Sequence, residues 1–299
     1  MGFDSAADIS GGQGNNSGIL SGASTPMLDP TVKASGFSSL KFTIPTNSPA
    51  DTSGSYFTNF SADLSTQFGE NTEFYVQWRQ RFSPEFLNTV YDGGGGWKQV
   101  IIGAGDKPGC TPSNIVSGIC NFSCTALETV MVNSFNRGFP QMYNSCTGST
   151  SHGAFDAFEQ PFGASDFKLQ NGRPSPFCLY SQGHTNPPTY FPNAGNCFGY
   201  FANEWMTFQV KIKTGARLGD EWVNSFVTVW IAREGQASQL VFNWGPYNLT
   251  AASAAENLRF GKVWLLPYNT GKNPAQVHPT AFVWYDELII SRTQIADPQ

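Results

Sequence analysis

Charge is scarce in this chain: only 13% of its 299 residues are Asp, Glu, Lys or Arg. With 17 basic against 22 acidic side chains the net charge is −5, which argues against a surface built for nucleic acid. There is no apolar run of about eighteen residues, so no membrane span is expected. Histidine is down to three, no Cys-x-x-Cys or His-Glu-x-x-His occurs, and a zinc site is disfavoured. Walker loops, dinucleotide-binding glycine fingerprints and nucleophile elbows are also missing. A glycosidase needs two carboxyls at a set separation, and no Glu-x-Asp-x-x-Glu strand supplies them. The first 25 residues have neither a charged nor an apolar signal region, so they do not read as a secretory leader.

What is present is turn chemistry and aromatic bulk. The chain holds 31 glycines, 19 prolines and 14% aromatic residues, a mixture that points to many short strands. Alternation identifies them: Gly36–Pro45, Glu73–Phe82, Trp97–Ile102, Ala126–Val132, Glu204–Lys213, Ser225–Ala232, Leu240–Trp244, Lys262–Tyr268 and Ala281–Ile290. A further strand is expected at RPSPFCLYS. In Glu73–Phe82 the residues Phe74, Val76, Trp78 and Gln80 share the core face, leaving Arg79 and Arg81 on a polar face. In Ala281–Ile290 the more apolar parity is Phe282, Trp284, Asp286, Leu288 and Ile290, which is expected to face the core. The fold class is therefore all-β, an antiparallel β-sandwich or jelly roll.

All six cysteines, Cys110, Cys120, Cys124, Cys146, Cys178 and Cys197, fall within residues 103–200. An even number confined to a loop-rich third reads as disulfides stapling an insertion, with the pairing open. Oxidised cysteines imply an extracellular protein or one at a virion surface. Residues 1–34 form a polar arm with few apolar anchors (Phe3, Ile9, Ile19, Leu20, Met27, Leu28), and residues 35–299 form the sandwich domain. Ordering so many residues costs about 1–2 kcal/mol each, more than those anchors return. The arm is thus expected to be an assembly element outside the core, adding a strand to a neighbour in a homo-oligomer or larger assembly. Packing on its own domain is the alternative.

The segments SLKFTIP, EFYVQWRQRFSPEF, WKQVIIG, EWMTFQVKIKTG, SFVTVWIA and VWLLPYNTGK…WYDELIIS follow one another in an order that resembles the concanavalin A-like lectin/glucanase jelly roll. The nearest texture is that of polysaccharide lyases of alginate-lyase and heparin-lyase type. The resemblance spans residues 35–102 and 200–292. It implies reactive groups on one concave sheet face: an Arg neutralises a uronate carboxylate, and a Tyr or His transfers the proton. Val263–Asn269 is similar to the lyase strand ending in a Tyr-Asn pair, which makes Tyr268 the proton-transferring group and Asn269 its neighbour in the site. Arg79 or Arg81 would clamp the carboxylate. Gly105 stands where the family places His, and Cys124–Glu128 keeps only a Glu of the Arg-rich strand. Gln99, Lys98 and His278 are the available substitutes. Trp97, Trp264 and Trp284 read as core, with stacking on a sugar ring as the alternative. The resemblance also implies a structural Ca²⁺, for which Asp286 or Asp106 are the candidate ligands.

Three functions follow. The first is glycan binding, with a polysaccharide or cell-surface glycan as partner. The second is a structural role in a virion or surface assembly, and the third is a lyase cleaving uronate polymers by β-elimination. For the lyase, Arg79, Arg81, Gln99 and Tyr268 should converge on one open groove.

Overall fold

The computed structural model describes residues 1–9, 18–20, 26–49, 52–92, 96–104, 128–134, 139–144, 198–219, 221–250, 259–269 and 271–298. The six cysteines, Asp106 and the RPSPFCLYS segment lie outside them. Among the described residues, strands make two sheets. Sheet A runs β1 (Gly18–Leu20), β4 (Ser55–Asn59), β13 (Phe260–Tyr268), β6 (Gly96–Ala104), β7 (Glu128–Ser134) and β8 (Phe139–Asn144). Sheet B runs β10 (Arg217–Leu218), β11 (Glu221–Ala232), β9 (Met206–Lys213), β5 (Glu73–Phe82), β14 (Ala281–Ser291), β3 (Ser39–Ile44) and β2 (Met27–Asp29), with β12 (Gln239–Thr250) paired to β11. All the strand pairings are antiparallel. Two short helices, α1 (Ala6–Ile9) and α2 (Pro84–Asn88), flank them. No described helix is long and apolar enough to cross a membrane.

The core lies between the sheets, and period-two alternation builds it. Phe74, Val76 and Trp78 of β5 point inward with Phe208, Val210 and Ile212 of β9. From sheet A come Val100 and Ile102 of β6 and Val263 and Leu265 of β13. Trp78 stacks on Phe208 with ring centroids 5.4 Å apart, and Phe68 on Phe74 at 4.4 Å. Such ring pairs add about 0.5–1.5 kcal/mol beyond their buried area.

One polar group set crosses this apolar layer. The Gln80 side-chain amide donates to Gln99 Oε1 at 2.7 Å, and Trp78 Nε1 donates to Gln80 Oε1 at 3.1 Å. Tyr285 donates its hydroxyl to both the backbone oxygen and Oε1 of Gln99, at 2.9 and 3.1 Å. Burial pushes the Tyr285 phenol well above its ordinary pKa, so it stays a donor. The network ties β5 and β14 of one sheet to β6 of the other.

Strand β14 departs from the expected face. Ala281, Val283 and Tyr285 face the core, while Phe282, Trp284 and Asp286 point away from it. A register shift between Asp286 and Ile289, with Glu287 at φ +49°, then brings Leu288 inward. The extra residue of a bulge switches parity. The outward face reads as core because it too is apolar. Lys41 caps it, its ammonium 4.3 Å from the Phe282 ring centre, and Trp284 Nε1 donates to Asp29 at 3.0 Å.

The described parts of the N-terminal segment, residues 1–9, 18–20 and 26–34, pack on the sandwich of their own chain, the alternative to an assembly role. Phe3 is fully buried in the core and meets Tyr56 edge-on at 5.3 Å. The Met1 carbonyl accepts from Leu288 N at 2.9 Å, and Ser38 donates to the Phe3 carbonyl. Strand β1 closes the edge of sheet A on β4, and β2 closes the edge of sheet B on β3. The described strands of the arm thus take their backbone hydrogen bonds by strand addition within one chain. Deleting residues 1–34 should strip both edges and lower the denaturant midpoint, and Phe3→Ala alone should cost about 3–5 kcal/mol in urea unfolding. An unchanged midpoint in the deletion would contradict this placement.

Candidate functional site

The outward face of sheet A carries the chemistry. On β13, Val263 and Leu265 point to the core, so Lys262, Trp264, Leu266 and Tyr268 point away from it. Ile101 of β6 and Leu266 form a small buried apolar floor, with Trp264 and Tyr268 packed against it. Register aligns the rest into rows across the strands. Phe57, Trp264, Ile101 and Val130 form one row, and Asn59, Lys262, Gly103 and Glu128 another. Tyr268 stands opposite Lys98, and that row continues through Val132 to Gln141. Directly opposed residues on one face of an antiparallel pair have Cβ atoms about 4.5–5.5 Å apart, so Lys98 and Tyr268 can act on the same ligand group.

Lys98 reaches this face because of Gln99. The strand pairings shift register around this point against both β13 and β7. Trp97, Gln99 and Val100 are all directed inward, with Lys98 between the first two. Trp97 accordingly belongs to the core, where it packs on Tyr91 and Phe86, and Gln99 is 2% exposed within the inter-sheet network. Neither lines a groove.

The remaining expected site residues lie elsewhere. Arg79 and Arg81 project from β5 on the outward face of the opposite sheet, so they cannot clamp a substrate held against Tyr268. Arg79 is flanked by Glu287 at 3.6 Å and Glu234 at 3.9 Å. Asn269 is buried in the turn after β13; its Oδ1 accepts from Gly271 N at 3.0 Å. His278 is buried against the Tyr91 ring, with Nδ1 2.7 Å from the Pro279 carbonyl. It helps line an open cleft of about 440 Å³ with Glu85, Asn88 and Gln276. Burial lowers its pKa, so it is neutral at pH 7. The Asp286 carboxylate accepts from Ala34 N at 2.9 Å, Ser35 N at 3.3 Å and Glu287 N at 2.8 Å. Both of its oxygens accept backbone N–H groups.

Lys262 is absent from the site groups expected from the sequence, and Trp264 reads there as core with sugar stacking as the alternative. Lys262 is 2% exposed, with its amine 4.8 Å from the Phe57 ring centre. Burial pulls its pKa from 10.5 down to about 6. The available signal was a lysine at a position alternating with buried residues of an otherwise apolar strand. A lysine whose folded pKa lies below its unfolded value binds more protons unfolded, so its contribution to stability rises with pH between about 6 and 10.5. At neutral pH the amine therefore costs stability, at about 1.4 kcal/mol per pH unit of displacement. Lys262→Met should raise the thermal midpoint at pH 7 by several degrees, and the gain should shrink at pH 10. A variant no more stable than the parent at pH 7 would contradict the burial argument.

No protein-family model matches the sequence, and no curated protein matches it significantly. Solved structures do match in fold. A marine PL-14 alginate lyase from Aplysia kurodai shares 10% identity at a TM-score of 0.51, over 89% of this chain and 86% of that one. Alginate lyase Aly36B shares 12% identity at 0.50, over 100% of this chain and 95% of that one. An endo-β-1,4-glucuronan lyase from the fungus Trichoderma reesei shares 16% identity at 0.47, over 90% and 87%. The fold is the concanavalin A-like jelly roll.

Proposed function

We propose that this protein binds an acidic polysaccharide along the outward face of sheet A. The observation that carries this reading is Lys98 standing opposite Tyr268 on a face that also presents Trp264 and Lys262. An aromatic ring over an apolar floor suits the C–H face of a pyranose, and a lysine beside it suits a uronate carboxylate. From Lys262 to Tyr268 the strand covers about 20 Å, room for several sugar units. The alginate lyases that share the fold make uronate polymers the first ligands to test. Such polymers are met outside cells or at a virion surface.

The pairing of Tyr268 with Lys98 also favours a lyase reading. In β-elimination the C5–H bond of the uronate breaks, a C4=C5 double bond forms and the C4–O bond breaks, and the departing oxygen takes a proton. Lys98 would hold the carboxylate and so acidify C5, while Tyr268 would transfer the proton. The unsaturated product absorbs in the near ultraviolet.

Calorimetric titration with alginate, glucuronan and heparin-type oligosaccharides tests the binding. Trp264→Ala and Lys98→Ala should each weaken it by roughly tenfold. Affinity unchanged in both variants would overturn the reading. An absorbance rise that disappears in Tyr268→Phe would establish cleavage, and binding without any rise would leave a glycan-binding module.

A further inference from the structure

The two arginines displaced from the groove leave a charge unaccounted for on sheet B. On its outward face the carboxylates are engaged: Asp29 lies 3.5 Å from Lys41, Glu73 lies 3.2 Å from Lys211, and Glu204 is paired with Arg233. Glu234 and Glu287 flank Arg79, and Asp286 is spent on backbone N–H groups. Among the described residues Arg81 has neither an ion pair nor a hydrogen bond, and its Nε is buried without an acceptor. A buried donor left unmet costs about 1–3 kcal/mol, so a cation in this state calls for an explanation.

Its surroundings supply one. Trp284 stands directly opposite Arg81 on β14, and Lys41 stands opposite Trp284 on β3, so one row across three strands reads Arg81, Trp284, Lys41. Phe282 lies 5.7 Å from the Trp284 ring. The indole is fixed by its hydrogen bond to Asp29, whose carboxyl is pulled down to a pKa of about 2 despite burial, by its hydrogen bonds to Thr31 and Trp284 and by Lys41. A cation with an open fork of donors beside the half-buried Phe282 ring is an arrangement that recognises a carboxylate on a sugar, while Trp284 itself is buried.

We propose that Arg81 binds the carboxylate of an acidic sugar on the outward face of sheet B, with the half-buried Phe282 ring beside it. This second subsite rests on the acidic-polysaccharide reading above and lies on the opposite side of the sandwich. One chain can then hold two stretches of polymer, which raises avidity for long chains without any new contact.

The test uses the full-length protein, alginate-derived oligosaccharides and a neutral glucan oligosaccharide of equal length. Binding is measured by calorimetry and saturation-transfer NMR, with thermal midpoints checked for every variant. The Trp264→Ala/Lys98→Ala double variant should keep residual binding of the acidic oligosaccharide alone. Adding Arg81→Gln should weaken that residue by roughly tenfold or more, while Arg81→Lys retains part of it. If the double variant binds nothing, the second subsite is overturned and the sheet A reading stands. If the double variant binds like the parent and Arg81→Gln abolishes binding, sheet A is wrong and Arg81 is the site. If Arg81→Gln changes nothing in a folded protein, the inference fails.

Discussion

The clasp formed by Gln99, Gln80 and Tyr285 sets the geometry on which the rest depends. It is the polar crossing described between two sheets otherwise joined by apolar contact. Apolar packing is tolerant of small slides, whereas a buried amide left without its partner loses the full cost of its desolvation. The clasp therefore fixes the position of β6 against β5 and β14. It also turns Gln99 inward next to an inward Val100, and so leaves Lys98 facing out beside Tyr268. Had the strand alternated without interruption, Lys98 would share the buried face of Val100 and Ile102.

The two outward faces have separate physical characters. That of sheet B is closed by its own groups: Gln209 hydrogen-bonds both Gln77 and the backbone of Ile295, and Asp297 accepts from Ser238 N. Lys41 and Arg79 are flanked by carboxylates, and Arg81 is the exception. The face of sheet A carries Trp264, Tyr268 and Lys98 half-buried over an apolar floor, with a neutral Lys262 nearby. An approaching anion would favour the protonated amine at Lys262, so ligand binding there is linked to proton uptake at pH values above about 6.

Much of the fold was legible because alternation is a backbone property. The inward set Phe74, Val76, Trp78 and Gln80 was readable from spacing alone, and so was the inward set of β9. Reading failed where a residue was inserted or where both faces were apolar. In β14, Phe282 and Trp284 outweigh Val283 and Tyr285 in hydrophobicity, and nothing local announces the bulge at Glu287. The arm was hard to read for another reason: besides Phe3, its described strands are held by backbone hydrogen bonds to β3 and β4, which side-chain counting does not register. Of the candidate site, Tyr268 and Lys98 stand in register on one face of sheet A, whereas Arg79 and Arg81 lie on the other sheet, because strand parity says nothing about which sheet a strand joins.

The measurement that bears most directly on this account is a crystal structure of the full chain soaked with an acidic oligosaccharide. The account predicts a sugar ring stacked on Trp264 with its carboxylate within hydrogen-bonding distance of Lys98 Nζ. An oligosaccharide bound elsewhere, in the His278 cleft for example, with the outward face of β13 and β6 left empty, would contradict it.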